Sequence, residues 1–282
     1  MKNHYNKRPI IGYTGKNSVL ARSFINDYDH KFQFKCYSSS INDHSKLIKW
    51  FKKNIDINIF INFAAITSPV YCNKNKDEAL LTNFKSVVDI LNIVQSSKFK
   101  NFNYFLTISS SHVFKKSFKK LNENSIKKPS NFYGFTKLKL EKFILKNSKK
   151  FKFKIGIARI FNYYNHGIKK GFLINDIIDK LNNKEPTIHF SNLNTFRDFI
   201  SMKNINTALH KMISLKLTNE FNICSGQKIY LPNIINILNK KLKNKKIIFD
   251  KKRLPGLIGS NIKLKRKGWK IKKNNFINDL LK

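Results

Sequence analysis

Between residues 8 and 160, short apolar runs alternate with longer helix-like stretches, and this alternation narrows the available folds more than any other feature. The runs are "RPIIG" (8–12), "KFQFKCY" (31–37), "INIFINF" (57–63), "FNYFLTIS" (102–109) and "FKIGIARI" (153–160). Each has the length and the aromatic or β-branched content of a strand. The stretches between them, at about 16–27, 43–53, 77–98 and 131–149, read as helices. Repeated strand–helix–strand units imply parallel crossovers, so the expected class is α/β with a doubly wound parallel sheet. "FAAITSPVYC" follows the third strand, and its proline breaks the pattern where a ligand-facing loop is expected.

After residue 161 the alternation loosens. "GFLINDIIDKLNN", "NINTALHKMISL" and "LPNIINILNKKL" read as helices, the last with Pro in its first turn. "PTIHF", "RDFI" and "EFNIC" read as strands, and the tail "GWKIKKNNFINDLLK" as a short amphipathic helix. Without internal repeats or a linker rich in Pro, Gly or Ser, a small lobe packed on the sheet is expected rather than a free domain.

The chain of 282 residues is 41% hydrophobic, enough to bury a full core despite a formal net charge of +40. That charge suggests a polyanion, but the basic residues are spread along the chain, and only Arg8, Arg22, Arg159, Arg197, Arg253 and Arg266 are arginines. Lysine dispersed over solvated faces accounts for the balance, so a nucleic-acid partner is not expected. Cys36, Cys72 and Cys224 form no CxxC pair, which suggests neither disulfides nor zinc, and no metal is expected. The basic N-terminus lacks an apolar signal core, and no run approaches the roughly 18 apolar residues of a membrane span. A reducing, cytoplasmic setting is the expectation.

Chemistry enters at "IIGYTGKNS". Gly12, Gly15 and Ser18 stand at GxxGxxG spacing between a strand and a helix. Such a turn, with Thr14, Lys16 and Asn17 completing it, lets a pyrophosphate approach the helix N-terminus. Ser18 departs from the pattern, although its small size is compatible with helix–strand packing. The carboxylate that would hold a ribose 2′-hydroxyl after the second strand is missing; Ser38, Ser39 and Ser40 stand there. With nothing to repel a 2′-phosphate, NADP is slightly favoured over NAD.

A second signal lies in "ISSSHVFKKSFKKLNENSIKKPSNFYGFTK" (108–137). Tyr133 and Lys137 share one helix face at i and i+4, and an ammonium beside a phenol lowers the phenol's pKa. In so lysine-rich a chain such a pair arises by chance; its position gives it weight. Ser110 ends the fourth strand at the carboxyl edge of the sheet and could hydrogen-bond the oxygen that Tyr133 protonates.

These segments resemble the extended short-chain dehydrogenase/reductases that act on nucleotide sugars. "GYTGKNS", "INFAA", "SSHVF" and "YGFTK" match the family's glycine turn, strand end, serine segment and YxxxK. "ARIFNYYNHG", "FRDFISMKNINTAL", "FNICSGQKIYLPNIINIL" and "LIGSNIKLKRKGWK" carry the likeness nearly end to end. The resemblance implies a Rossmann-type sheet in residues 1–161, with 196–223 returning to it, and a smaller, mainly substrate-binding α/β lobe in 162–282. It implies that Tyr133 is the general acid or base, that Lys137 binds the nicotinamide ribose, and that Ser110 orients the sugar oxygen. Ala64 and Ala65 would line the cofactor, Asn162 would contact the sugar nucleotide and Arg197 its diphosphate. Arg159 reads equally well as a phosphate ligand or a structural salt bridge. The resemblance also allows a homodimer.

Dehydratases of the family place Asp-Glu straight after the catalytic Ser or Thr; Ser111 and His112 occupy those positions here and would face the substrate instead. Hydride transfer is therefore expected: reduction of a 4-keto-6-deoxy nucleotide sugar, or alternatively 4-epimerisation. Some reductases of the family also epimerise, with an acid/base residue at the position of His112 and a His near that of His166. Two histidines without a chemical role is the plainer reading. The competing class is a basic Rossmann-like protein holding RNA or an anionic membrane.

Overall fold

A computed structural model describes residues 8–96, 98–99, 101–164, 173–242, 244–272 and 276. The chain opens with β1 (Ile10–Thr14), α1 (Val19–Tyr28), β2 (Gln33–Cys36), α2 (His44–Lys53) and β3 (Ile59–Asn62). It continues through α3 (Pro69–Lys74), α4 (Lys76–Leu80), a π-helical turn (Leu81–Lys85), α5 (Ser86–Ser96) and β4 (Tyr104–Ser110). A 3-10 turn (Ser111–Val113), α6 (Phe132–Asn147) and β5 (Lys154–Ile160) follow. Then come β6 (Asn162–Tyr164), α7 (Leu173–Leu181), β7 (Thr187–Phe190), β8 (Phe196–Arg197) and β9 (Phe199–Ser201). The last described elements are α8 (Met202–Ser214), β10 (Asn219–Ile223), β11 (Ile229–Tyr230), α9 (Leu231–Leu242), β12 (Lys246–Phe249) and α10 (Ile262–Lys265).

Six strands form a parallel sheet in the order β10-β5-β4-β3-β1-β2. The chain runs outward from β1 to β2, then crosses back to β3, so the strand order reverses between β1 and β3. In their register Thr14 lies beside Asn62, and Asn62 beside Thr107. A reversal of this kind leaves a crevice at the carboxyl ends of the strands.

By its contacts the chain divides into two compact units. The first comprises Met1–Val113, Pro129–Arg159 and Asn206–Phe221, the second Phe114–Lys128, Ile160–Ile205 and Asn222–Lys282. The first holds most of the sheet. β3 and β4 are buried along their whole length, as expected of central strands covered on both faces. Phe51 of α2, Phe60 of β3, Phe105 of β4 and Ile157 of β5 share a core with Leu91 of α5. The second unit has its own core, in which Ile174, Ile177 and Leu181 of α7 join Ile188 of β7 and Leu231, Ile235 and Leu238 of α9. Among the described residues no helix is long and apolar enough to cross a membrane.

The helix starts follow from capping chemistry. Ser18, Asp43, Ser68 and Asn131 begin α1, α2, α3 and α6, each accepting a first-turn backbone N–H through its side chain. Ser18 therefore serves as a helix cap.

Several elements depart from the sequence expectation. The proline after β3 opens α3 at its first position, where the missing N–H costs nothing. The helix expected over 77–98 is interrupted by the π turn. "RDFI" is two strands, because Asp198 turns inward between β8 and β9. Its buried carboxylate accepts from Ser225 N (2.8 Å), Ser225 Oγ (2.6 Å), Gly226 N (2.9 Å) and Gly259 N (3.2 Å). β6, β11, β12 and α10 were not foreseen; the three strands are two to four residues long and pair with β9, β8 and β7. The expected tail helix falls mostly outside the described residues, and so does His166. Segment 114–128 belongs to the second unit: Ser117 and Leu121 exchange backbone hydrogen bonds with Gly256, Ile258 and Ser260.

Candidate active site

The glycine turn leaves the carboxyl end of β1. Gly15 has φ +79°, and a Cβ there would lie 2.8 Å from Ala64 N and 2.8 Å from Phe63 C. Backbone conformation and the neighbouring chain thus both demand glycine. Gly12 lies one turn deeper, within β1, and has a packing reason: its Cβ would meet Ile57 Cδ1 at 2.8 Å and Phe60 Cδ2 at 2.9 Å. Ser18 N donates to Gly15 O at 2.8 Å, closing the turn, while Lys16 and Asn17 are exposed at its tip.

A buried polar bridge locks this turn to β3. Thr14 Oγ1 donates to Asn62 Oδ1 (2.6 Å) and accepts from Ala64 N (3.3 Å), and Asn62 Nδ2 donates to Ala64 O (3.4 Å). Ala64 and Ala65 are partly buried just past β3, and Ser38 is exposed just past β2. Replacing Gly15 by Ala is expected to destabilise the first unit by about 1–2 kcal/mol and to weaken dinucleotide binding at least tenfold. Thermal melts and a cofactor titration check this; near-normal values of both would refute it.

The serine segment and the start of α6 are pressed together. A Cβ on Gly134 would stand 2.2 Å from His112 O, so only glycine admits this approach. Asn131 has two tasks. Its Oδ1 accepts from Gly134 N (2.8 Å), so its Nδ2 is turned to His112 Nδ1 (2.8 Å). An amide nitrogen can only donate, so Nδ1 accepts and the neutral ring carries its proton on Nε2. The His112 and Tyr133 rings lie edge to face, with centroids 5.7 Å apart. Ser110 and Ser111 are buried, and Ser110 Oγ accepts from His112 N at 3.3 Å.

Tyr133 is 8% exposed and packs with Cys72, Ala79, Ile66 and Phe132. Lys137, 2% exposed, donates from Nζ to Ile108 O (2.9 Å), and Nζ lies 5.9 Å from the Tyr133 ring centroid. Burial pushes the Lys137 ammonium down to about 8, with Cys72 and Glu141 acting in the opposite direction. The ammonium is therefore still mostly charged at pH 7.

Other participants escaped the sequence reading. The π turn aims the buried Asn83 at the loop after β3: its side chain accepts from Ile66 N (2.8 Å) and donates to Ile66 O (2.9 Å) and Thr136 Oγ1 (3.2 Å). Arg159 is a structural salt bridge and not a phosphate ligand. It is fully buried and binds Glu141 through Nε (2.9 Å) and Nη2 (2.7 Å). Glu141 lies four residues after Lys137, a helical spacing that was visible in the sequence.

The second unit carries a separate cationic cluster. Arg197 donates from Nη1 to Phe196 O (2.8 Å), and burial pushes it down to about 10, leaving it fully charged at neutral pH. Burial, with Arg197 nearby, also depresses Lys116. Lys228 Nζ stands 4.2 Å from the Phe196 ring centroid, and Arg253 stacks on Phe196 (4.3 Å) and Tyr230 (4.8 Å). Asn162 Nδ2 donates to Asp198 O at 3.3 Å. Lys116, Lys228 and Arg253 gave no signal in so basic a chain.

A glycine turn at the switch point of a doubly wound sheet, with a Tyr–Lys helix packed on the end of β4, defines the extended short-chain dehydrogenase/reductase class. Within it, residues 4–267 match the family described as GDP-mannose 4,6 dehydratase, and the chain belongs to that family of NAD(P)-dependent nucleotide-sugar proteins. A GDP-6-deoxy-D-talose 4-dehydrogenase of Aggregatibacter actinomycetemcomitans is 28% identical over 153 residues, 52% of this chain and 51% of that protein. The match thus spans about half of that relative's length. RMD from Pseudomonas aeruginosa, complexed with NADPH, has the same fold, with a TM-score of 0.82 at 19% identity over 96% of this chain and 95% of that one. A UDP-glucose 4-epimerase from Thermotoga maritima gives 0.78 at 16% identity, over 96% and 98% of the two chains.

Proposed function

We propose that the protein reduces the 4-keto group of a 6-deoxy nucleotide sugar, with a nicotinamide dinucleotide as hydride donor. The observation that carries this reading is Lys137, an ammonium buried beside Tyr133 on the helix packed against the serine end of β4. Burying a cation is costly, and a chain with so many exposed lysines would not bury this one for solubility.

The residues around Gly15 fit a dinucleotide: a tight glycine turn with φ +79°, at the carboxyl end of β1 and before the N-terminus of a capped helix. The bound dinucleotide supplies a hydride to the carbonyl carbon. Tyr133 gives its hydroxyl proton to the carbonyl oxygen as negative charge grows there, and Ser110 steadies that oxygen by a hydrogen bond. Lys137 favours the ionised phenol left behind and, through its position, the ribose of the dinucleotide. Ser111 and His112 line the same turn on the substrate side, where a dehydratase would carry Asp-Glu. In the second unit, Arg197, Arg253, Lys116 and Lys228 suit a diphosphate, and the arginine stacked on two rings is held in a fixed orientation. The relative matched over about half its length, named for the 4-position of a GDP-6-deoxy sugar, supports the same class of substrate.

NADP is favoured over NAD because no carboxylate follows β2; Tyr37 there is buried and donates from its hydroxyl to Ser40 O (2.9 Å). The test is loss of NADPH or NADH fluorescence on addition of GDP- or dTDP-linked 4-keto-6-deoxy sugars. Thermal protection by GDP, dTDP and UDP is measured in parallel. Stoichiometric oxidation of NADPH supports reduction. Interconversion of two sugars without net oxidation would make the protein an epimerase instead, and no protection by any nucleotide would end the reading.

A further inference from the structure

Away from the groups already described lie a 450 Å³ cleft lined by Asn103, Phe151, Lys152 and Lys216, exposed Phe118 and Ile126 on a lysine-rich loop, and a buried charge cluster behind β4. Only the last has side chains fixed tightly enough to carry a mechanism.

The cluster is built on four elements of the first unit. Glu141 of α6 is 1% exposed, and its Oε1 accepts from Ser109 Oγ (2.5 Å) and Arg159 Nε (2.9 Å). Its Oε2 accepts from Arg159 Nη2 (2.7 Å), and the same Nη2 lies 3.4 Å from Glu220 Oε1 of β10. One guanidinium thus meets two carboxylates, and the set carries one negative charge too many. Lys137, one helical turn before Glu141, supplies the missing positive charge. Together the four groups are neutral.

We propose that Glu141 is a positioning residue: its carboxylate, held by Arg159 and Ser109 with Glu220 behind, supplies the field that keeps Lys137 a cation and so keeps Tyr133 primed. This rests on the reductase reading above for its consequence in turnover, but not for the charge state of Lys137.

The surroundings of Lys137 leave little else to do this. From α3 comes Cys72, which also opposes the lowering of Lys137, but it does so only as a thiolate, and burial pushes its thiol up, against that form. Glu78 of α4 faces Cys72, and its carboxylate accepts from Tyr71 Oη (2.6 Å). From β4 comes the Ile108 carbonyl, which is uncharged. His112 lies against Tyr133 from the 3-10 turn and is held through Nδ1 by Asn131. Arg159 of β5 would repel Lys137 were its own charge not taken up by the two carboxylates. Ser109 adds a positional link: it ties the carboxylate to the residue adjoining Ser110, so that the charge and the strand end that faces the reaction move together.

Burial lowers the Lys137 pKa and the carboxylate opposes that, so removing the carboxylate lowers it further. The wild-type rate is expected to fall as pH rises through about 8, where Lys137 loses its proton. In Glu141→Gln that fall should move to lower pH by about one pH unit or more, cutting kcat at pH 7.5 several-fold more than at pH 6. Glu141→Asp, which keeps the charge, should restore the wild-type profile. A role confined to holding the fold would lower melting temperature and kcat equally at all pH values and leave the profile in place; that result overturns the proposal.

A second measurement is independent of turnover. In protein labelled at lysine Cε with carbon-13, the one resonance absent from Lys137→Arg is titrated. A midpoint near 8 in the wild type, and a lower one in Glu141→Gln, supports the inference. A wild-type Lys137 already neutral at pH 7 refutes it, even if no Glu141 variant folds. Failure of the reductase assay alone would remove the rate profile but not this titration.

Discussion

Tyr133→Phe is expected to lower turnover by about 10²–10⁴-fold while leaving cofactor and nucleotide affinity near wild type. The substitution removes one oxygen and keeps the ring that packs among Cys72, Ala79, Ile66 and Phe132. What is lost is the proton donor on the same helix face as Lys137. The checks are initial rates with a 4-keto-6-deoxy nucleotide sugar and calorimetric titration of the dinucleotide into the variant. Turnover within tenfold of wild type would show that Tyr133 is not the acid. A parallel loss of binding would show that it acts on affinity and not on the chemical step.

The second large effect is on stability. Arg159→Met should cost about 3–5 kcal/mol, because it leaves Glu141 buried with Ser109 as its remaining neutral partner and brings two carboxylates together without the cation between them. For a protein of this size, that is a melting temperature lower by roughly 10 °C. The double variant Glu141→Leu with Arg159→Met removes both ends of the pair and should recover at least half of the loss. Urea unfolding of the two single variants and the double variant closes the cycle. If the double variant is as unstable as the sum of the singles, the pair does not act as a unit. This cycle also bears on the role inferred for Glu141, since the double variant can fold well and still lack the charge that Lys137 needs.

The sequence placed the sheet well because its signals are local. Strand lengths, the glycine turn and the helix periods each rest on residues within about ten positions of one another, and β1–β5 and α1, α2 and α6 lie close to where those patterns put them. The second unit was read less well. β6, β8, β9 and β11 are two or three residues long, and each exists only because a partner from elsewhere in the chain supplies its hydrogen bonds. Two or three residues carry no period. Asp198 could not be read as the reason for the break in "RDFI", since the four donors that bury it come from residues 225, 226 and 259.

The candidate site divides in the same way. Tyr133, Lys137, Ser110 and Gly15 were legible, because each belongs to a spaced motif whose chemistry can be argued from residue types. Asn83 was not, since its role comes from a π turn that rotates one side chain inward out of an otherwise ordinary helix. His112 was visible as a residue but not as a tautomer; that is decided by Asn131, whose carbonyl is committed to capping α6.

By itself the chain determined the class of fold, the position of the phosphate turn and the Tyr–Lys pair, because backbone propensity and helical spacing act over short distances. Only the tertiary structure decided which charges are buried. Of 56 basic residues, Arg159 and Lys137 are the two among the described residues withdrawn almost wholly from water. Solvation treats all lysines alike until packing removes the water, and a buried cation then persists only where opposing carboxylates are brought to it.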